Sequence, residues 1–159
     1  MDLLTLIGLL GEAPESEKAR PILSHFPRLH TTVSSLFTNG ATLTENLLSS
    51  RDYGFEARLA SSGKVTTIYL MGPGNEGFGE FPYPLVDGLR FGANRDAVEA
   101  KFGKPHWSWS GISIPVVRYG AGDAIRYDRP DSTLYFQFDA RDKILNQIAA
   151  DLPMSRLIS

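Results

Sequence analysis

Cysteine is absent from the 159 residues. That single absence excludes disulfides, a thiolate nucleophile, cysteine metal sites and a lipid-bearing cysteine. Histidine is scarce: His25, His30 and His106 are the three in the chain. His25 and His30 stand five apart, which does not stack them on one helical face, and no His-Glu-x-x-His occurs, so no local metal pair forms. An excess of charge of either sign is missing as well. Sixteen basic and eighteen acidic residues give a net −2, and nothing in that balance favours nucleic acid, which calls for a basic face. Long apolar runs are also lacking. The stretch Leu3–Leu10 is far short of the ~18–20 residues that cross a bilayer, and Asp2 stands where a secretion signal carries basic residues. The expectation is a cytoplasmic protein with no membrane and no nucleic-acid partner.

The composition that remains, 42% hydrophobic and 21% charged, is that of a folded globule. The length fits one domain, 1–159, large enough for a core without staples. The most legible stretch is 85–105. Asn94 caps a short helix over 94–102, Asp96 and Glu99 suit its positive end, Val98 and Phe102 share a face, and Gly103 with Pro105 ends it. Further helices are expected over 2–10, ended by Gly11 and Pro14, and over about 16–26 with Pro21 in its first turn. Tyr53–Leu59 and Val65–Met71 alternate around Ser61-Ser62-Gly63-Lys64 and read as a hairpin. Strands follow at Ile112–Tyr119, Ala124–Asp128, Thr133–Phe138 and Lys143–Asp151, with Pro115 demoting the first to an edge or a bulge. Leu134, Phe136 and Phe138 face one way and Tyr135 and Gln137 the other, the pattern of a sheet covered on one face and open on the other. Residues 31–50, rich in Ser and Thr, read either as a helical turn or as irregular strand near Thr42–Leu48.

The fold expected is α+β, with short helices packed on one face of an antiparallel sheet. Leu10-Gly11-Glu12-Ala13-Pro14 echoes Phe102-Gly103-Lys104-Pro105, and Gly63-Lys64-Val65 echoes Asp142-Lys143-Ile144. The echo is faint. It leaves open whether the chain is two tandem helix-plus-sheet halves, about 1–75 and 85–152, or an unrepeated sequence of elements.

Chemistry-bearing motifs are weak. Gly72-Pro73-Gly74-Asn75-Glu76-Gly77 fits G-x-G-x-x-G, but Pro82 and Pro84 follow where a dinucleotide site needs a helix. Trp107-Ser108-Trp109-Ser110-Gly111 lacks the first glycine of a nucleophile elbow. Asp123, Asp128, Asp131, Asp139 and Asp142 sit in or beside turns, where Asp closes the turn. No catalytic residue, cofactor or metal is implied. Two features suit binding: the connector with Phe78, Phe81 and Tyr83 among Glu76, Glu80 and Asp87, and the pair Trp107 and Trp109 in the loop expected before the later strands. Aromatic anchors ringed by charge are what protein interfaces use.

The order Leu10-Gly11-x-x-Pro14, Gly54-Phe55-Glu56-Ala57-Arg58-Leu59, Ile68-Tyr69-Leu70, Gly77-Phe78-x-x-Phe81, Pro84-Leu85-x-x-Gly88-Leu89-x-Phe91 and Val98-x-x-x-Phe102-Gly103-x-Pro105 resembles a loosely defined bacterial family. It consists of small, cysteine-poor cytoplasmic proteins regarded as immunity proteins beside polymorphic toxins. The Gly88…Val98…Phe102-Gly103-x-Pro105 module is also similar to the SmpA/OmlA outer-membrane assembly lipoproteins, and a tandem of such units to the secreted β-lactamase inhibitor proteins. The chain departs from both in lacking cysteine. The resemblance implies a non-enzymatic protein that binds a cognate toxin. Set against it are a small-ligand-binding or enzymatic domain using the sheet face, and an envelope-assembly module.

Overall fold

Period-2 alternation of apolar side chains builds one antiparallel sheet. Its strands are β1 (His30–Thr38), β2 (Ala41–Ser50), β3 (Phe55–Leu59), β4 (Val65–Met71), β5 (Trp107–Trp109), β6 (Ala124–Asp128), β7 (Thr133–Phe138) and β8 (Leu145–Asp151). They lie in the order β1-β2-β3-β4-β8-β7-β6-β5. The computed structural model describes residues 1–75, 77–86, 88–110 and 122–153. The expected strand Ile112–Tyr119 lies outside them.

Three short helices accompany the sheet: α1 (Leu3–Ile7), α2 (Ala19–Leu23) and α3 (Arg95–Phe102). Asp2 Oδ1 accepts from Thr5 N at 2.8 Å, and Asn94 Oδ1 from Ala97 N at 2.9 Å, so α1 and α3 each start on a side-chain cap. The first two helices are shorter than expected. Gly8 ends α1, and Leu9 and Leu10 continue as buried turn residues. Ser16 Oγ accepts from Ala19 N at 3.1 Å, so the chain enters α2 only at Ala19, with Pro21 in the first turn where a missing N–H breaks no helix bond.

Two segments differ from the sequence reading. The Ser/Thr-rich stretch is a long hairpin closed by Asn39-Gly40, both at positive φ (50° and 77°), as a type I′ turn requires. Its alternation was invisible because most of its described side chains beyond Glu45 are exposed whichever way they point. Trp107 and Trp109 lie in the edge strand β5 rather than in a loop, paired with Arg126 and Ala124.

Cross-strand registers sort the sheet into two faces. Phe55, Ala57, Ile68, Leu70, Ile148, Ala150, Leu134, Phe136, Ile125 and Tyr127 share the core face. They form one apolar cluster with Leu3, Leu6, Ala19, Leu23, Val98, Phe81, Leu85 and Leu89. Burying each large side chain of this set contributes about 1.5–3 kcal/mol. The other face carries Glu56, Arg58, Thr67, Tyr69, Met71, Gln147, Ala149, Asp151, Thr133, Tyr135, Gln137 and Arg126. Against the expectation of an open face, β7 is buried on both sides, Tyr135 and Gln137 included. Tyr69, Met71, Ala124, Tyr135 and Ala149 pack there into a second small cluster, against which Phe78 and Trp109 also rest.

The strand order is symmetric about the β4–β8 pair. The β3–β4 register slips between Arg58 and Leu59, and the β7–β8 register slips at the corresponding place, between Gln137 and Phe138. Gly11 N donates to Val65 O (2.8 Å) and Val65 N to Glu12 O (2.9 Å); Gly92 N donates to Leu145 O (2.9 Å) and Leu145 N to Ala93 O (2.7 Å). The geometric counterpart of Gly11 is therefore Gly92, not Gly103, which caps α3.

Candidate functional site

The segment that follows β4 holds no helix after its glycines among the described residues. Asn75 Nδ2 instead donates to Gly72 O (3.0 Å) and Asn146 O (2.6 Å), tying the loop to β8. Beyond it the connector is clamped by backbone. Gly79 N donates to Arg51 O and Phe81 N to Met71 O, each at 2.8 Å. Gly54 lies under this crossing with no room for a side chain.

The clamp divides the expected binding residues. Phe78 is half-buried beneath the Arg51 guanidinium, 5.1 Å from its ring centre, on the same face as Trp109. Phe81 turns the other way and is a core residue, 3% exposed, facing Phe26 and Tyr83. Tyr83 is half-buried, and its hydroxyl donates to His25 O at 2.9 Å. Glu80 is exposed. Glu76 and Asp87 lie outside the described residues. Glu80, Phe81, Tyr83 and two prolines line a cleft of about 580 Å³ together with Arg90 and Phe91.

The tryptophan pair makes a second site. Trp107 is 57% exposed. Arg126, its cross-strand partner on β6, places its guanidinium 5.2 Å from the Trp107 ring centre and 6.0 Å from that of Trp109. Asp128 fixes that guanidinium: Nη2 donates to Oδ2 at 3.0 Å, and Nε lies 3.0 Å from Oδ1, the latter a charge contact without hydrogen-bond angles. Trp109 lies over Tyr135. Burial raises the Tyr135 phenol above its ordinary value of 10.0, so it stays neutral beside Arg126. His106 Nδ1 accepts from Asp128 N at 3.1 Å, which puts the ring proton on Nε2 and gives this histidine a structural task.

Sequence reasoning missed Arg126. The signal was its place in Ala124–Asp128, where alternation puts one cation between Ile125 and Tyr127, on the strand next to the tryptophans.

The same face holds other polar groups. Ser49 Oγ donates to Glu56 Oε2 (2.9 Å), Arg58 pairs with Glu45 (2.8 Å), and Thr67 Oγ1 donates to Asp151 Oδ1 (2.6 Å). Burial raises the Asp151 carboxyl above 3.8, against the lowering effect of Thr67 and Arg58. The buried amides of Gln137 and Gln147 face each other across β7–β8. Gln137 Oε1 and both amide atoms of Gln147 make no hydrogen bond. Among the described residues no group of three or more His, Asp or Glu is placed to hold a metal ion. No described helix is long and apolar enough to cross a membrane.

No protein-family model matches the chain, and no curated protein or solved structure is significantly similar to it.

Proposed function

We propose that the chain is a protein-binding module that works by surface complementarity, and in finer terms an immunity protein that neutralises a cognate bacterial toxin in the cytoplasm. One observation carries this reading. Trp107 is a large exposed aromatic whose ring is held by Arg126, itself fixed by Asp128. Trp and Arg are over-represented among residues that dominate binding energy, and a side chain held in place before binding loses less entropy on association. The ion pairs Arg126–Asp128 and Arg129–Asp131 nearby give a polar, charge-balanced rim that favours partner selectivity.

The fold reading proposed with it has the three helices covering the core face, which leaves the β5–β6 edge for the partner. It also has the chain built as two related halves. The matching register slips and the matched bonds of Gly11 and Gly92 support the second point.

The test is growth. Co-expression with a toxin encoded by the adjoining reading frame restores growth with the wild-type chain and fails with Trp107→Ala or Arg126→Ala at equal soluble level. Rescue by both variants contradicts the site, and absence of rescue by the wild type contradicts the function. A second reading, small-ligand binding, rests on the cleft at Glu80–Pro84. Its volume falls in the range of ligand sites, with Glu80 and Arg90 as polar groups over an aromatic floor.

A further inference from the structure

The two edges of the sheet are built differently. β5 is three residues long, lies two residues beyond Pro105, and begins and ends on a bulky tryptophan. Short edge strands and proline are the usual protection against unwanted pairing. β1 has nine residues, HTTVSSLFT, with no charge except a histidine, no proline and no glycine. The β2–β3 ladder covers only Asn46–Ser50, so among the described strands the part of the hairpin beyond it is a two-stranded arm. Val33 (65% exposed), Phe37 (78%) and Leu43 (55%) are open on this arm. An uncharged edge of this length invites a further strand.

We propose that β1 pairs antiparallel with β1 of a second copy of this chain, joining two sheets into one across a two-fold axis at Ser34. In a two-residue hairpin the residues flanking the turn exchange both hydrogen bonds. Thr38 and Ala41 flank Asn39-Gly40, so the backbone N–H and C=O groups of Thr31, Val33, Ser35 and Phe37 point away from β2. An axis at Ser34 sets Thr31 opposite Phe37 of the second copy and Val33 opposite its Ser35. All four outward residues are then used, giving about eight new backbone bonds. Val33 and Phe37 lie on one face of β1, and the same register brings Val33 diagonally beside Val33 and Phe37 of the second copy, within reach of apolar contact. The lack of charge selects the occupant. A strand that pairs with itself brings like residues together, and Lys or Glu at these positions would repel its own copy. Among the described strands a closed two-fold pair leaves β5 as the remaining edge.

Sedimentation equilibrium on the full chain tests the pairing. The wild type is expected at about twice its 17.5 kDa at micromolar concentration. Val33→Lys is expected to raise the dimer dissociation constant roughly tenfold or more through diagonal like-charge contact. Ser35→Pro removes an outward N–H and is expected to do the same; Val33→Lys keeps the test valid should the proline variant fail to fold. Register is read by crosslinking. The chain has no cysteine, and Ser34→Cys places two thiols at a non-hydrogen-bonded pair with Cα atoms about 4.5 Å apart, within disulfide range. A covalent dimer under mild oxidation is expected, with none from exposed Ser61→Cys. A monomer at all concentrations overturns the proposal, as does an open-ended filament. A dimer that both variants leave intact, or that Ser34→Cys does not lock, also overturns it.

Discussion

Gly54 is a position where the fold depends sharply on one missing atom. Its φ is +58°, and a Cβ placed there would lie 2.5 Å from Gly79 O, 2.7 Å from Phe81 N and 2.9 Å from Met71 O. All three neighbours are backbone, and two of them belong to the connector that seats Phe81 in the core. Gly54→Ala therefore adds two costs. The left-handed conformation costs an L-residue about 1–2 kcal/mol. Moving the connector away loosens the Phe81 N–Met71 O bond and its side chain's packing, an overpacking penalty of about 1–3 kcal/mol. The sum is about 2–5 kcal/mol, a large part of the 5–15 kcal/mol typical of a domain. Gly63→Ala separates the two terms: its φ is +81° and nothing lies within 4 Å of the built Cβ, so it is expected to cost about 1–2 kcal/mol. Urea unfolding followed by tryptophan fluorescence reads both. With a slope of about 2 kcal/mol per molar, Gly63→Ala lowers the midpoint by about 0.5–1 M and Gly54→Ala by about 1–2.5 M. Equal shifts for the two variants would refute the steric clamp.

Three further outcomes are expected. Trp107→Ala lowers unfolding free energy by about 1 kcal/mol or less, the worth of an exposed cation–π contact, whereas Phe136→Ala, fully buried, costs about 3–5 kcal/mol; urea midpoints check the contrast. The Tyr127 phenol is pushed up to about 12, chiefly by burial and then by the charge of Glu99, while its hydroxyl donates to Gly103 O at 2.8 Å. The folded state then holds a proton that the unfolded state loses above pH 10, so stability falls as pH rises from 10 towards 12; absorbance at 295 nm is expected to show late-titrating tyrosine, Tyr135 included, and Tyr127→Phe to remove part of that late amplitude. Burial raises the Asp151 carboxyl above 3.8, so folding favours its protonated form and stability from this group is lost as pH climbs upward from 3.8. Asp151→Asn is expected to flatten that decline in melting temperature and to be at least as stable as the wild type at pH 7.

What could be read from the residues depended on which face of a strand was buried. The hairpin of Phe55–Leu59 and Val65–Met71 and the strands at 124–128 and 133–138 alternate against a core, and they stand where expected. Helix α3 was marked by Asn94 and Gly103, each of which makes its capping bond. The β1–β2 arm was illegible because it touches little on either face, so no apolar period arises. Its one local signal, Asn39-Gly40, is a strong hairpin dipeptide. The polar face misled in the opposite direction: Tyr135 and Gln137 look like solvent-facing residues, yet both are buried, and Gln137 leaves Oε1 without a hydrogen bond. At the candidate site, aromatic character alone could not separate Phe81, drawn into the core by the Gly54 clamp, from Trp107, left at an edge. Connector residues that are neighbours in sequence end on opposite faces of the sheet.

Calorimetric titration of the purified chain into the toxin proposed as its partner addresses the central claim most directly. Binding is expected, and Trp107→Ala is expected to weaken it by about 2–4 kcal/mol, roughly 30- to 1000-fold, while leaving the fold intact. No heat of binding with the wild type, or an affinity unchanged by the loss of Trp107, would contradict the account.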